Sequence, residues 1–139
     1  MDTKKWQPRF EIGIEQIDSE HKKLMYLIDA CIESSRSGAT HQELVVRLNE
    51  VREYVASHFR SEENLSVSAG KPLSGDHRAQ HKYLLDFMQS EIHDFMESRV
   101  SLVDRSNRKV SAQGILVYLY DWYISHLESE DKKLVGSEL

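Results

Sequence analysis

The feature that most limits how this chain can fold is a set of apolar seams stepping by three and four residues, with histidine at several positions that leucine would ordinarily hold. The first seam is Ile17, His21, Leu24, Ile28 and Cys31, and the second is Leu44, Leu48, Val51, Val55, His58, Glu62 and Leu65. The third is His77, His81, Leu84 and Met88, and the fourth is Leu116, Leu119, Tyr123 and His126. Such steps keep side chains on one helix face, and no segment alternates with period two, so no sheet is expected. The fold class read from this pattern is all-α: an antiparallel up-down four-helix bundle with an irregular N-terminal arm.

Breakers place the boundaries. The arm runs from Met1 to about Ile17 and carries Pro8 and Gly13. Helices are expected from about Asp18 to Arg36, from His41 to about Leu65, from about Asp76 to Ser98 and from about Val110 to Leu134. Ser37 and Gly38 end the first helix, because glycine tolerates the left-handed cap conformation. Thr40 followed by Glu43 reads as a capping box for the second. The stretch 66–76, with Gly70, Pro72 and Gly75, is a loop, as is the polar stretch 100–109.

A chain of 139 residues is expected to be a single domain, 1–139, large enough to bury a core without disulfide staples. No apolar run approaches the ~20 residues needed to cross a bilayer, and Met1 to Trp6 lacks the apolar core of a secretory signal. The lone cysteine, Cys31, can form no internal disulfide; this fits a reducing compartment, so a cytoplasmic location is expected. A net charge of −5 argues against a nucleic-acid partner. What stands out is seven histidines beside that single cysteine.

Five of those histidines and Glu62 lie on the seams. Burying unpaired polar groups costs several kcal/mol each, on the order of 2–7, so several at one end of a core need something to satisfy them. His58 and Glu62 are four residues apart, as are His77 and His81, so each pair projects from one face. His126 is followed by Glu130 at four and Asp131 at five. Imidazole suits iron, copper, nickel and zinc, and carboxylates can bridge two metals. Five imidazoles and two carboxylates exceed one tetrahedral zinc site and fit a two-metal centre. A ferritin-like di-iron oxidase uses Glu-x-x-His pairs. No histidine here has a glutamate three residues before it; Asp18 before His21 is the nearest case.

In Ile17-Asp18-Ser19-Glu20-His21-Lys22, His58-Phe59-Arg60-Ser61-Glu62-Glu63, His77-Arg78-Ala79-Gln80-His81 and Asp121-Trp122-Tyr123-Ile124-Ser125-His126 with Asp131 beyond, the chain resembles the hemerythrins, the bacterial ones in particular. The likeness covers nearly the whole chain, starting from the aromatic arm around Trp6 and Phe10. It implies two Fe ions joined by an oxo or hydroxo group. It implies that His77, His81 and His126 ligate one iron, that His21 and His58 ligate the other, and that Glu62 and Asp131 bridge them. The second iron is then one ligand short, and dioxygen is the ligand implied for that position, with azide and nitric oxide as other small ligands. Leu24, Ile28, Val55, Phe59, Leu84 and Trp122 are candidates to wall the pocket. The function implied is reversible dioxygen binding by a carrier, storage or delivery protein, and not an enzyme. Two alternatives are an oxygen- or redox-sensing domain of a larger signalling protein and a di-iron protein acting on peroxide or nitric oxide.

Spacing alone favours Glu130 over Asp131, because a fifth residue swings about 140° around an α-helix, whereas the family pattern favours Asp131. Glu63 is expected beside the ligands or on the surface, Glu20 and Glu128 in solvent, and His41 and His93 on the surface. Two departures from the family stand out. Lys71 precedes Pro72 where an aromatic residue is expected, and Tyr123 replaces the usual leucine near the pocket. Its phenol either faces the open position, where it can hydrogen-bond a ligand or donate a proton, or packs with its hydroxyl turned elsewhere.

Overall fold

Local chemistry sets the helix ends. At the first helix, Gly13 adopts φ +96°, and the amides of Ile12 and Gly13 both donate to the Asp18 carboxylate, at 2.9 and 3.1 Å. The carboxylate therefore acts from inside the first turn, and the helix starts at Glu15, three residues before the expected Asp18. Thr40 and Glu43 form the reciprocal capping box expected of them, at 2.8 and 3.1 Å. The hydroxyl of Ser111 accepts from the Gly114 amide at 2.9 Å and fixes the last helix start at Ala112. Gly38 and Gly70, at φ +90° and +78°, follow the ends of the first two helices.

This computed structural model describes residues 10–100 and 111–131, apart from the side chains of 98–100. Expectations that fall on Trp6, on 101–110 and on 132–134 lie outside the described residues. The helices are α1 (Glu15–Arg36), α2 (His41–Ser68), α3 (Gly75–Val100) and α4 (Ala112–His126), and a π-turn, Leu127–Asp131, continues α4. α2 runs one turn past the expected Leu65, which shortens the loop before α3. No strand occurs among the described residues.

The helices form a four-helix bundle in which α1 packs on α2 and α4, and α3 packs on α2 and α4. Up-down connection puts the starts of α1 and α3 at the same end as the finishes of α2 and α4. The middle of the bundle is aliphatic. Leu24, Ile28, Leu48, Val55, Leu84, Met88, Leu116 and Leu119 are all sealed from solvent, and each large aliphatic side chain contributes about 1.5–3 kcal/mol by leaving water. At the shared end, Phe10 and Ile12 from the arm pack with Ile17 and Leu127 in a separate small cluster.

Asp18 ties the arm to this end of the bundle. Asp18→Ala is expected to cost about 1–2 kcal/mol. The check is a lower urea midpoint at unchanged slope.

Candidate metal centre

The shared end of the bundle is where each seam turns polar. α1 supplies His21, α2 supplies His58 and Glu62, α3 supplies His77 and His81, and α4 with its π-turn supplies His126 and Asp131. All seven are buried. The structure brings them into two overlapping groups: Glu62, His77, His81, His126 and Asp131, and His21, His58, Glu62 and Asp131. Within each group the ligand-type atoms lie within 4.8 Å of one another.

The two carboxylates are shared, one oxygen to each side. Oε1 of Glu62 is 3.2 Å from Nε2 of His81 and 3.6 Å from that of His77. Oε2 of Glu62 is 2.8 Å from Nε2 of His58 and 3.5 Å from that of His21. Oδ1 of Asp131 is 3.1 Å from Nε2 of both His77 and His126, and Oδ2 is 3.2 Å from that of His21. These spacings suit ligand atoms around a shared cation, since donors bonded at about 2.0–2.1 Å sit roughly 3 Å from their neighbours.

The π-turn explains why five residues, not four, separate His126 from its carboxylate. An i→i+5 hydrogen-bonding pattern brings the fifth residue back over the first, whereas an α-helix does so at the fourth. Asp131 is thereby buried, while Glu130 lies on the rim. The spacing argument for Glu130 fails because it assumed an α-helix to the end.

Acceptors outside the cluster fix the imidazole tautomers. Nδ1 of His58 meets Glu20 Oε1 at 2.6 Å, Nδ1 of His81 meets Glu63 Oε2 at 3.2 Å, and Nδ1 of His126 meets Gln80 Oε1 at 2.7 Å. An oxygen there can only accept, so each Nδ1 donates, and in the neutral ring each Nε2 turns a lone pair inward. His81 and His126 consequently aim their Nε2 atoms at each other across 3.2 Å. Two facing lone pairs repel unless a cation lies between them. His58 Nε2, both oxygens of Glu62 and Oδ2 of Asp131 are buried without a hydrogen bond. The donor set and these orphaned atoms fit a pair of metal ions sharing Glu62 and Asp131.

Protons bear the compensating charge in the metal-free protein. Burial depresses the His58 pKa, but Glu20 and Glu62, with the charge of Asp131, outweigh it and push it up to about 9. His77 is likewise lowered by burial and raised more strongly by Asp131 and Glu62, to about 9. Burial works against the Glu62 carboxylate, yet His21, His58, His77 and His81 hold it well below the usual range. Asp131 is also lowered: burial opposes ionisation, and the adjacent His126, His21 and His77 rings overcome it.

The remaining expectations sort clearly. Glu20, expected in solvent, holds His58, and Gln80 was not foreseen at all. Glu20 lies one residue before His21 and Gln80 one before His81, and adjacency to a ligand histidine is the only sequence signal they carry. Glu63 holds His81, His93 is exposed, and His41 is partly buried with its ring stacked on Phe95 at 4.4 Å. Leu24, Ile28, Val55 and Leu84 join the buried apolar cluster. Phe59 stacks on His81 at 3.7 Å and Trp122 on His126 at 4.7 Å, so both lie against the three-histidine group. Tyr123 is fully buried, 5.3 Å from His21 and 5.8 Å from His58 between ring centres. Its hydroxyl has no hydrogen-bond partner among the described residues. Burial, then the charges of Glu62 and Asp131, push its pKa well above 10.

Glu20→Ala is expected to weaken metal binding about 10–100-fold by freeing the His58 ring, with Glu20→Gln, which keeps an acceptor, closer to wild type. Competition against a chelator measures this, and equal affinity in all three proteins would remove Glu20 as an orienting group.

Comparison with known proteins agrees in extent. The hemerythrin HHE cation-binding domain matches residues 12–136. A bacteriohemerythrin of Pseudomonas paraeruginosa is 26% identical over 132 residues, covering 95% of this chain and 79% of the relative. A hemerythrin-like protein of Naegleria gruberi is also 26% identical over 132 residues, covering 94% and 90%. A bacteriohemerythrin of Clostridium acetobutylicum is 24% identical over 133 residues, covering 94% and 97%. No solved structure matches the chain. Because the match spans most of the sequence and takes in all seven clustered residues, the chain belongs to the hemerythrin family of HHE cation-binding domains.

Proposed function

We propose that this protein binds dioxygen reversibly at a non-haem di-iron centre held by His21, His58, Glu62, His77, His81, His126 and Asp131. The observation that carries the reading is the uneven division of histidines around two shared carboxylates: three on one side, two on the other. The names of the relatives, bacteriohemerythrin and hemerythrin-like protein, support it. Two ferrous ions bound there would supply the two electrons that dioxygen takes up.

The chain's own part is positional. His77, His81 and His126 with one oxygen from each carboxylate offer five protein ligands, whereas His21 and His58 with the other two oxygens offer four. With one shared non-protein bridge, the first side would offer six donors and the second five, one fewer than an octahedral ion takes. Leu24, Ile28, Val55 and Leu84 keep the adjoining core apolar and fully buried, which excludes the water that would hydrate a departing anion. Glu20, Glu63 and Gln80 point the Nδ1 protons of His58, His81 and His126 away from the centre. That arrangement favours holding a ligand over driving a reaction, so we read the protein as a carrier or store and not an enzyme. We read it as cytoplasmic on its single cysteine.

The test is anaerobic loading with ferrous iron followed by exposure to air. About two irons per chain are expected, with a charge-transfer band that appears on oxygenation and disappears when oxygen is removed. One iron per chain, or a spectrum that never reverses, overturns the reading. Iron-loaded protein is also expected to melt well above the metal-free form, by about 4 kcal/mol when free metal exceeds its dissociation constant a thousandfold. Calorimetry with and without chelator measures the difference.

A further inference from the structure

We infer that the Tyr123 hydroxyl donates a hydrogen bond to a small anion at the open position beside His21 and His58, making the site selective for ligands that carry negative charge. This rests on the two-iron reading above. Tyr123 is fully buried, and its hydroxyl has no hydrogen-bond partner among the described residues. A buried hydroxyl left unsatisfied is a standing cost that phenylalanine would avoid at the same ring volume. It is therefore informative that the ring carrying this hydroxyl lies against the cluster.

Position points the same way. The ring meets His21 edge-on at 5.3 Å and lies 5.8 Å from His58, but is 6.4 Å from His126. The phenol thus sits on the two-histidine side, where the protein offers fewer ligands. The neighbouring phenol, Tyr54, is already committed, since its hydroxyl donates to the Glu20 carbonyl at 3.1 Å. Phe59 and Trp122 press flat against His81 and His126 on the other side. Tyr123 also precedes His126 by three residues on α4, so the backbone that sets that histidine sets the phenol. A phenol keeps its proton at neutral pH, so the hydroxyl acts as a donor. A donor fixed in a closed apolar setting favours an anion over a neutral molecule of equal size.

The experiment compares full-length wild type and Tyr123→Phe, both iron-loaded and oxidised, using azide as the probe. Both proteins are expected to hold about two irons. The azide dissociation constant is expected to rise about tenfold or more in Tyr123→Phe. The stretching band of azide bound to wild type is expected to shift between H2O and D2O, and to lose that shift in the variant. The metal-free variant is expected to melt no lower than wild type, because it removes an unsatisfied group. Equal azide affinity with no isotope-sensitive band in wild type, at full iron content, overturns this inference and leaves the di-iron reading standing. Failure of wild type to take up two irons overturns both.

Discussion

Two buried carboxylates ringed by five imidazoles form an arrangement that only positive charge can hold together. Glu62 and Asp131 are both sealed from solvent, and an isolated carboxylate in such a place ordinarily gains a proton. Here the reverse holds, because histidines surround both groups and keep them ionised. In the metal-free chain, protons on His58 and His77 answer that demand. A proton, however, occupies one nitrogen, whereas each carboxylate here presents an oxygen to either group. Two multivalent cations satisfy that geometry more completely, since each can draw on several lone pairs at once.

The architecture serves this constraint. Each end of an up-down bundle gathers one terminus from all four helices, so ligands far apart in sequence converge there without long loops. Phe10 and Ile12 then cover that end through their contact with Ile17 and Leu127. Immediately beside this cover, the helix changes its winding at Leu127. A regular α-helix from Ala112 onward would carry Asp131 about 140° off the His126 face. The π-turn thus sacrifices ideal helical geometry at one point to give the second bridging carboxylate, consistent with such turns gathering at functional sites.

The same contrast explains what was legible in the sequence. Helix seams are periodic, and a polar residue on a seam is conspicuous because burial gives it no innocuous role. Hence the bundle, the five seam histidines and Glu62 could be read from spacing. Asp131 could not: its placement depends on a local change of period, and only the resemblance to hemerythrins pointed to it. Glu20 and Gln80 were hidden for another reason. Each sits beside a seam and makes its contact across to a neighbouring helix, to His58 on α2 and His126 on α4, and spacing along one helix carries no record of such a pairing. The boundary at Asp18 was misplaced by a related ambiguity, because a carboxylate that caps backbone amides from within the first turn looks in sequence like the residue that begins it.

The uneven count of histidines links this electrostatics to function. A symmetric site with three imidazoles per side would satisfy both cations fully and leave nothing for an external ligand to do. Phe59 and Trp122 stack on His81 and His126 and pack the three-histidine side closely. The side with two imidazoles lies near Tyr123, a large side chain whose polar tip has no hydrogen bond among the described residues. Stability alone gives no reason for that tip, since a phenylalanine would pack the same ring. On the proposed two-metal reading, the side with fewer protein ligands is thus also the side nearer the phenol, and one small ligand that offers a lone pair to a metal and accepts a hydrogen bond from Tyr123 would answer both.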